Sequence, residues 1–298
     1  MPPFQMQNWR FTPLILLLFF SSCTKNNPDE KHLETATSGE FELIADEILK
    51  PVLDSLVYAF NVETPAAKVT VRYENATRAL DDLLAHHCRL VIVGRSVTAK
   101  ESTFLRDRNI ELIGAQIAQN AIVCVVSTKS PYQSISIDSL KLLCFGRISD
   151  LTRVSSSYLS STETILDSIF GLEKYQNGKI LRFSTSDSIL RRVKDDPKSI
   201  GFIGSSWWRQ TQSNGDSSFR LLSIKSASGE QIFFHLANLL QGFYTLTSTV
   251  FAYTQEVPNT LPRGFLAYIM SADGQRILMN YDLLPKTQIL KLVPASSD

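Results

Sequence analysis

Three consecutive hydroxyl residues, Ser160, Ser161 and Thr162, stand just before a run with apolar residues at Ile165, Leu166, Ile169 and Phe170. Those four positions share one face of a helix whose start lies near Ser160. A helix start carries backbone N–H groups without intrahelical partners and a partial positive charge. With hydroxyls adding donors, the chemistry on offer is capture of an oxyanion. The same residues also spell a self-sufficient cap. Ser160 and Glu163 have the S-x-x-E spacing, in which the serine accepts from the N–H of residue 163 and the glutamate reaches back. On these residues alone the cap is the simpler account, and both readings stay open.

Other chemistries find less support. A serine nucleophile needs a base close by, and no G-x-S-x-G elbow, P-loop or zinc spacing is present. His86-His87-Cys88 is contiguous, so its side chains cannot converge as helical i, i+4 ligands do, and His32 and His235 stand alone. The expectation is a binding protein, not an enzyme, with no cofactor and no metal. A formal charge of +1 gives no reason to expect a nucleic-acid partner. Cys124 and Cys144 sit among apolar residues, and the odd set of three, Cys88 included, reads as reduced thiols.

The amino end is an address. Arg10 precedes the apolar run Pro13 to Phe20, too short to span a bilayer, which stops at Ser21-Ser22-Cys23. This resembles a bacterial lipoprotein signal, with residues 1–22 removed and Cys23 lipidated. The implied location is the periplasmic or cell-surface side of the bacterial envelope, anchored to a membrane by the lipid on Cys23. Residues 23–38 are polar and aperiodic, a tether whose residues from Thr24 on span about 20 Å as a loose coil.

The rest alternates strand and helix. Strands are expected at Phe41–Ala45, Lys68–Tyr73, Leu90–Val93, Asn120–Ser127, Ile180–Phe183, Ser199–Gly204 and Thr245–Thr254. Helices are expected from about Glu47 to Phe60, over Glu74–Ala85, Ser136–Leu143 and Ser186–Lys194, and as one piece over Phe265–Tyr281. Leu90–Val93 is a continuous apolar run of the kind buried on both faces of a parallel sheet. In a doubly wound α/β lobe, ligands sit beyond the carboxyl ends of the strands, which here places Asp46-Glu47, Glu74-Asn75 and Gly94-Arg95 along the binding edge.

In this order the segments resemble the PstS-type phosphate-binding proteins of ABC transporters, within the type 2 periplasmic-binding-protein fold. The pieces that carry the likeness are Asp46–Pro51, Cys88–Arg95 before Thr98–Glu101, Ser160-Ser161-Thr162, Ser199–Phe202, and Gly274-Gln275-Arg276 ahead of Leu284-Pro285. The resemblance implies two α/β lobes joined by a two-strand hinge, residues 39–123 with 247–298 forming one and residues 124–246 the other. It further implies a solute-binding lipoprotein that captures phosphate or a related oxyanion for an ABC permease. The ligand residues so implied are Asp46, Glu47, Asn75, Gly94, Arg95, Ser160, Ser161 and Thr162.

Four departures fall at the ligand. Asp46 and Glu47 stand where the family has hydroxyl and small residues, Arg89 where it has Asp, Gly94 where it has Ser, and Ser156 where it has Arg, with Arg153 the nearest guanidinium. Arg89 is open to a ligand role or to a solvent-facing place at the start of its strand. The alternative function is a two-lobe interaction or envelope-sensing protein that has lost its small ligand.

Overall fold

Strands with apolar residues on both faces need cover on both sides, and the chain supplies it by alternating strands with amphipathic helices. The computed structural model describes residues 34–171, 180–226 and 228–286. The signal segment, Cys23 and most of the tether lie outside these residues. β1 (Gly39–Asp46), β2 (Ala67–Glu74) and β3 (Leu90–Val93) are joined by α1 (Lys50–Glu63) and α2 (Ala76–Leu84). α3 (Ala99–Asp107), β4 (Ile113–Ser127), β5 (Ser134–Ser136) and α4 (Ile137–Cys144) come next. Then β6 (Thr152–Ser156), β7 (Ile180–Phe183) and β8 (Ser199–Gly204) alternate with α5 (Ser161–Phe170), α6 (Ser186–Asp195) and α7 (Ser205–Ser213). The short pieces β9 (Phe219–Leu221), β10 (Ser223–Lys225), β11 (Gln231–Ile232) and α8 (Leu236–Leu240) lead to β12 (Thr247–Thr254). The described chain closes with α9 (Leu261–Met270), α10 (Ala272–Asn280) and β13 (Leu284–Pro285).

Among the described residues the main sheet runs β2-β1-β3-β12-β4-β8-β6-β7, with β9 and β13 also on β4. Its outer parts are parallel: β1 lies between β2 and β3, and β6 lies between β7 and β8. The middle is antiparallel, and β4 belongs to both parts. It pairs with β12 as far as Ala121 and with β8 from Ile122 onward. The architecture is therefore α/β with two sheet halves sharing one long strand. The carboxyl ends of β1, β2 and β3 and those of β6, β7 and β8 turn toward each other, because side chains following one set touch residues following the other. Ser206 donates to the Ile48 carbonyl at 3.2 Å, and the Trp207 indole donates to the Glu47 carbonyl at 3.1 Å.

Two expectations change at the helices. The segment after β1 does not enter a helix at once; Glu47–Leu49 makes a 3-10 turn first, and Pro51 sits in the first turn of α1, where its missing N–H costs nothing. The last helix is two, not one. Ser271 is extended (φ −71°, ψ 168°) and accepts from the Gly274 N–H, starting α10 afresh. A Cβ at Gly274 would lie 2.3 Å from the Tyr268 carbonyl oxygen, so the glycine permits the tight join and is no weak point inside a single helix. Cys124 and Cys144 are buried and Cys88 is half-buried, all three as free thiols. No helix among the described residues is long and apolar enough to cross a membrane.

Candidate functional site

Asp46 ends β1, and its side chain is 1% exposed. Gly94 follows β3, and a Cβ there would stand 3.1 Å from the Ser161 Cβ and 3.2 Å from its Oγ. The glycine thus lets the loop after β3 meet the first turn of α5. Ser160, the N-cap of α5, accepts from the Glu163 N–H at 3.3 Å. Only that half of the expected reciprocal cap forms. The Glu163 carboxylate turns away from the Ser160 backbone and accepts from Arg153, from Ser155 and, at 3.1 Å, from Arg182. A charge as deeply buried as Glu163 must be paired, and two guanidiniums outweigh one backbone N–H as partners. The first turn of α5 is thereby left without its own acidic cap.

Around that turn the polar groups are buried and under-used. Ser161 Oγ, Thr162 Oγ1, Arg95 Nε and Asp46 Oδ2 have no hydrogen-bond partner, and Ser161 and Thr162 are wholly enclosed. Burial raises the pKa of the Asp46 carboxyl above the ordinary aspartate range. The Ser161 hydroxyl, the N–H groups of Ile48 and Gly94, and the Arg95 charge oppose that rise without overcoming it. Arg95 is otherwise engaged: it forms a two-pronged pair with Glu101 at 2.8 and 2.7 Å and reaches Thr77 at 3.2 Å. Burial works to raise Glu101, yet the Arg95 and Thr98 bonds hold it below the usual glutamate value.

Glu47 takes a different partner from the one the sequence suggested. Its carboxylate accepts from both the N–H and the hydroxyl of Ser186, each at 2.9 Å, at the start of α6. Burial is the main cause that pushes its pKa up to about 7, with the charges of Asp46 and Asp187 adding to the rise and the Ser186 bonds resisting it. Sequence reasoning did not mark Ser186. Its only local signal was a hydroxyl at a helix start, and nothing local names the acid that comes to it from residue 47.

Of the eight expected ligand residues, six therefore meet: Asp46, Gly94, Arg95, Ser160, Ser161 and Thr162 lie about the α5 start, while Glu47 lies at the α6 start. Asn75 does neither, for its side chain caps α2 by accepting from the Arg78 N–H at 3.0 Å. It borders, with Glu47, Tyr73, Arg78, Tyr158 and Arg191, a cleft of about 810 Å³ open between the two halves. Arg89 is remote from all of these. It is gripped by Glu256, at 2.7 and 2.9 Å, and by Glu34, and Glu34 also accepts from the Leu261 N–H at 3.0 Å. Its role is to fasten the segment before β1 to the start of α9.

A family model described as "PBP superfamily domain" matches residues 30–273. A search of curated proteins gives no significant match. Among solved structures, the chain is similar to a protein assigned to phosphate ABC transport as its substrate-binding component, with phosphate bound, from Clostridium perfringens. The TM-score is 0.71 at 18% identity, covering 83% of this chain and 99% of that one. It is similar to an ABC-type phosphate transport receptor from Vibrio cholerae (TM-score 0.63, 16% identity, 83% and 100% covered). It also resembles the CcmR regulatory domain of Synechocystis PCC6803 in complex with 2-PG (TM-score 0.57, 14% identity, 78% and 96% covered). Likenesses at such identities speak for the fold.

Proposed function

This chain belongs to the PBP superfamily, and we propose from that premise that it is a solute-binding lipoprotein, held to a membrane by lipid on Cys23, that captures phosphate or a related oxyanion between two lobes and presents it to an ABC-type permease. The observation that carries the reading is the start of α5, where buried hydroxyls of Ser161 and Thr162 lack partners beside a helix N-terminus whose own acid is turned away. Enclosed donors without acceptors are costly unless something is to be bound there. Lobe one is residues 39–123 with 247–298 and lobe two residues 124–246, with β4 and the approach to β12 as the hinge. The exchange of partners along β4 after Ala121 supports that division. The protein is a binder and not a catalyst in this reading.

A second reading has an observation of its own. The Asp46 carboxyl fills the space before α5, as in a scaffold that senses or docks without a small ligand. Titration calorimetry of the purified protein with phosphate, sulfate, arsenate, phosphonates and carboxylates separates the two. Saturable binding of one oxyanion supports capture, and no heat with any of them favours the second reading. The anchor has a separate check: Cys23→Ala is expected in the soluble envelope fraction or unprocessed, and normal processing with membrane retention refutes it.

A further inference from the structure

The Asp46 carboxyl has no ordinary structural duty. It begins the Glu47–Leu49 turn without making a side-chain cap bond. No salt bridge includes it among the described residues, and Arg95, whose charge acts on it, is committed to Glu101. A buried carboxyl with one oxygen unpartnered is destabilising, because the group has lost its water without gaining a replacement for it. Polar groups from three places in the chain lie about it and act on its pKa, the Ile48 N–H in the turn after β1, the Gly94 N–H after β3 and the Ser161 hydroxyl at the α5 start, yet Ser161 Oγ and Asp46 Oδ2 form no hydrogen bond, while a Cβ at Gly94 would stand 3.1 Å from the Ser161 Cβ. Those groups come from both sheet halves to one buried carboxyl, and groups of that kind brought to one point are what an oxyanion requires.

We infer that Asp46 is a built-in anion: in the ligand-free protein its carboxyl holds the place before α5 that a bound oxyanion takes, and an oxyanion enters only by displacing it. This rests on the oxyanion reading of the site and adds its regulation. Displacement has somewhere to go, because Asp46 adjoins Glu47, which borders the open cleft. The raised pKa of Asp46 fits the same picture, since a carboxyl crowded out of water gains by returning to it. Two charges face it. Arg95 from the loop after β3 attracts it, and Glu47 from its own turn repels it. The start of α5 brings a hydroxyl and no free acid, Glu163 being paired beneath. The apparent affinity for the oxyanion is thus reduced in proportion to the fraction of molecules whose site is vacated.

The test is calorimetry with inorganic phosphate on the wild type, Asp46→Ser and Asp46→Asn, with circular dichroism as the check on folding. Asp46→Ser removes both charge and bulk and is expected to bind at least about tenfold tighter than the wild type, with Asp46→Asn between them because it keeps the volume. Equal affinities in wild type and Asp46→Ser overturn the built-in anion while leaving the oxyanion site standing. Weaker binding in folded Asp46→Ser makes Asp46 a ligand contact and also overturns it. If no folded form binds any of the oxyanions of the panel, the oxyanion reading itself fails.

Discussion

The starts of α5 and α6 are built from the same parts and used differently. Each opens on a serine that is almost wholly buried, Ser161 or Ser186, and each faces an acid from one dipeptide, Asp46 or Glu47. At α6 the bonds are formed: Glu47 takes both the N–H and the hydroxyl of Ser186 at 2.9 Å. At α5 they are not, and Asp46 Oδ2 and Ser161 Oγ remain without partners. The turn after β1 sends the two side chains different ways: Glu47 crosses to the start of α6 and latches it, whereas Asp46 stays at the start of α5 with one oxygen unsatisfied. A fastened helix start and an unfastened one side by side indicate which of them is free to exchange its anion.

The comparison can be broken most sharply by adding an acid to each start. Ser161→Asp is expected to weaken oxyanion binding at least about 100-fold, because a second carboxylate then occupies donor space at short range. Ser186→Asp repels Glu47 and loosens closure, and its effect is expected to be about tenfold or less. Equal losses in titration calorimetry would erase the distinction between the two helices.

Beneath α5, Arg153→Ala leaves Glu163 with Arg182 and Ser155 alone in a buried setting. A loss of about 3–5 kcal/mol in denaturant unfolding is expected, since breaking a buried pair strands a charge. A change below about 1 kcal/mol would show that the network does not hold the α5 start.

The smallest effect is a pH slope. Glu47 has a folded pKa of about 7, above its unfolded value, so the folded protein binds that proton more tightly. The associated stability is complete below about pH 4.5 and is lost as pH rises through 7, in all about 3 kcal/mol. Asp46, also raised, contributes in the same direction. Glu47→Gln keeps an acceptor for the Ser186 N–H and removes the proton, so its unfolding free energy is expected to vary less between pH 5 and pH 8 than that of the wild type. An unchanged slope would mean that Glu47 titrates normally.

Local pattern alone determined a good part of this protein. The apolar run Leu90–Val93, the strands Ile180–Phe183 and Ser199–Gly204, and the α5 start after Ser160 follow from periodicity and capping chemistry, which act over a few residues and are written in consecutive letters. The order of strands and helices was enough to suggest the α/β class and the edge on which Asp46, Gly94 and Arg95 lie. Only the tertiary structure decided where long charged side chains find their partners. Arg89 is open, by sequence, to a ligand role or to a solvent-facing place at the start of its strand, yet Glu34 and Glu256 claim it from 55 and 167 positions away. Glu163 has the spacing of a reciprocal cap, yet the buried Arg153 behind it is the stronger partner. Asp46 and Glu47 are neighbours in sequence, but a 3-10 turn aims one at α5 and the other at α6. Backbone preference is short-ranged and additive along the chain, whereas the pairing of a buried charge depends on every donor the fold brings within about 3 Å of it, and no stretch of sequence contains that set.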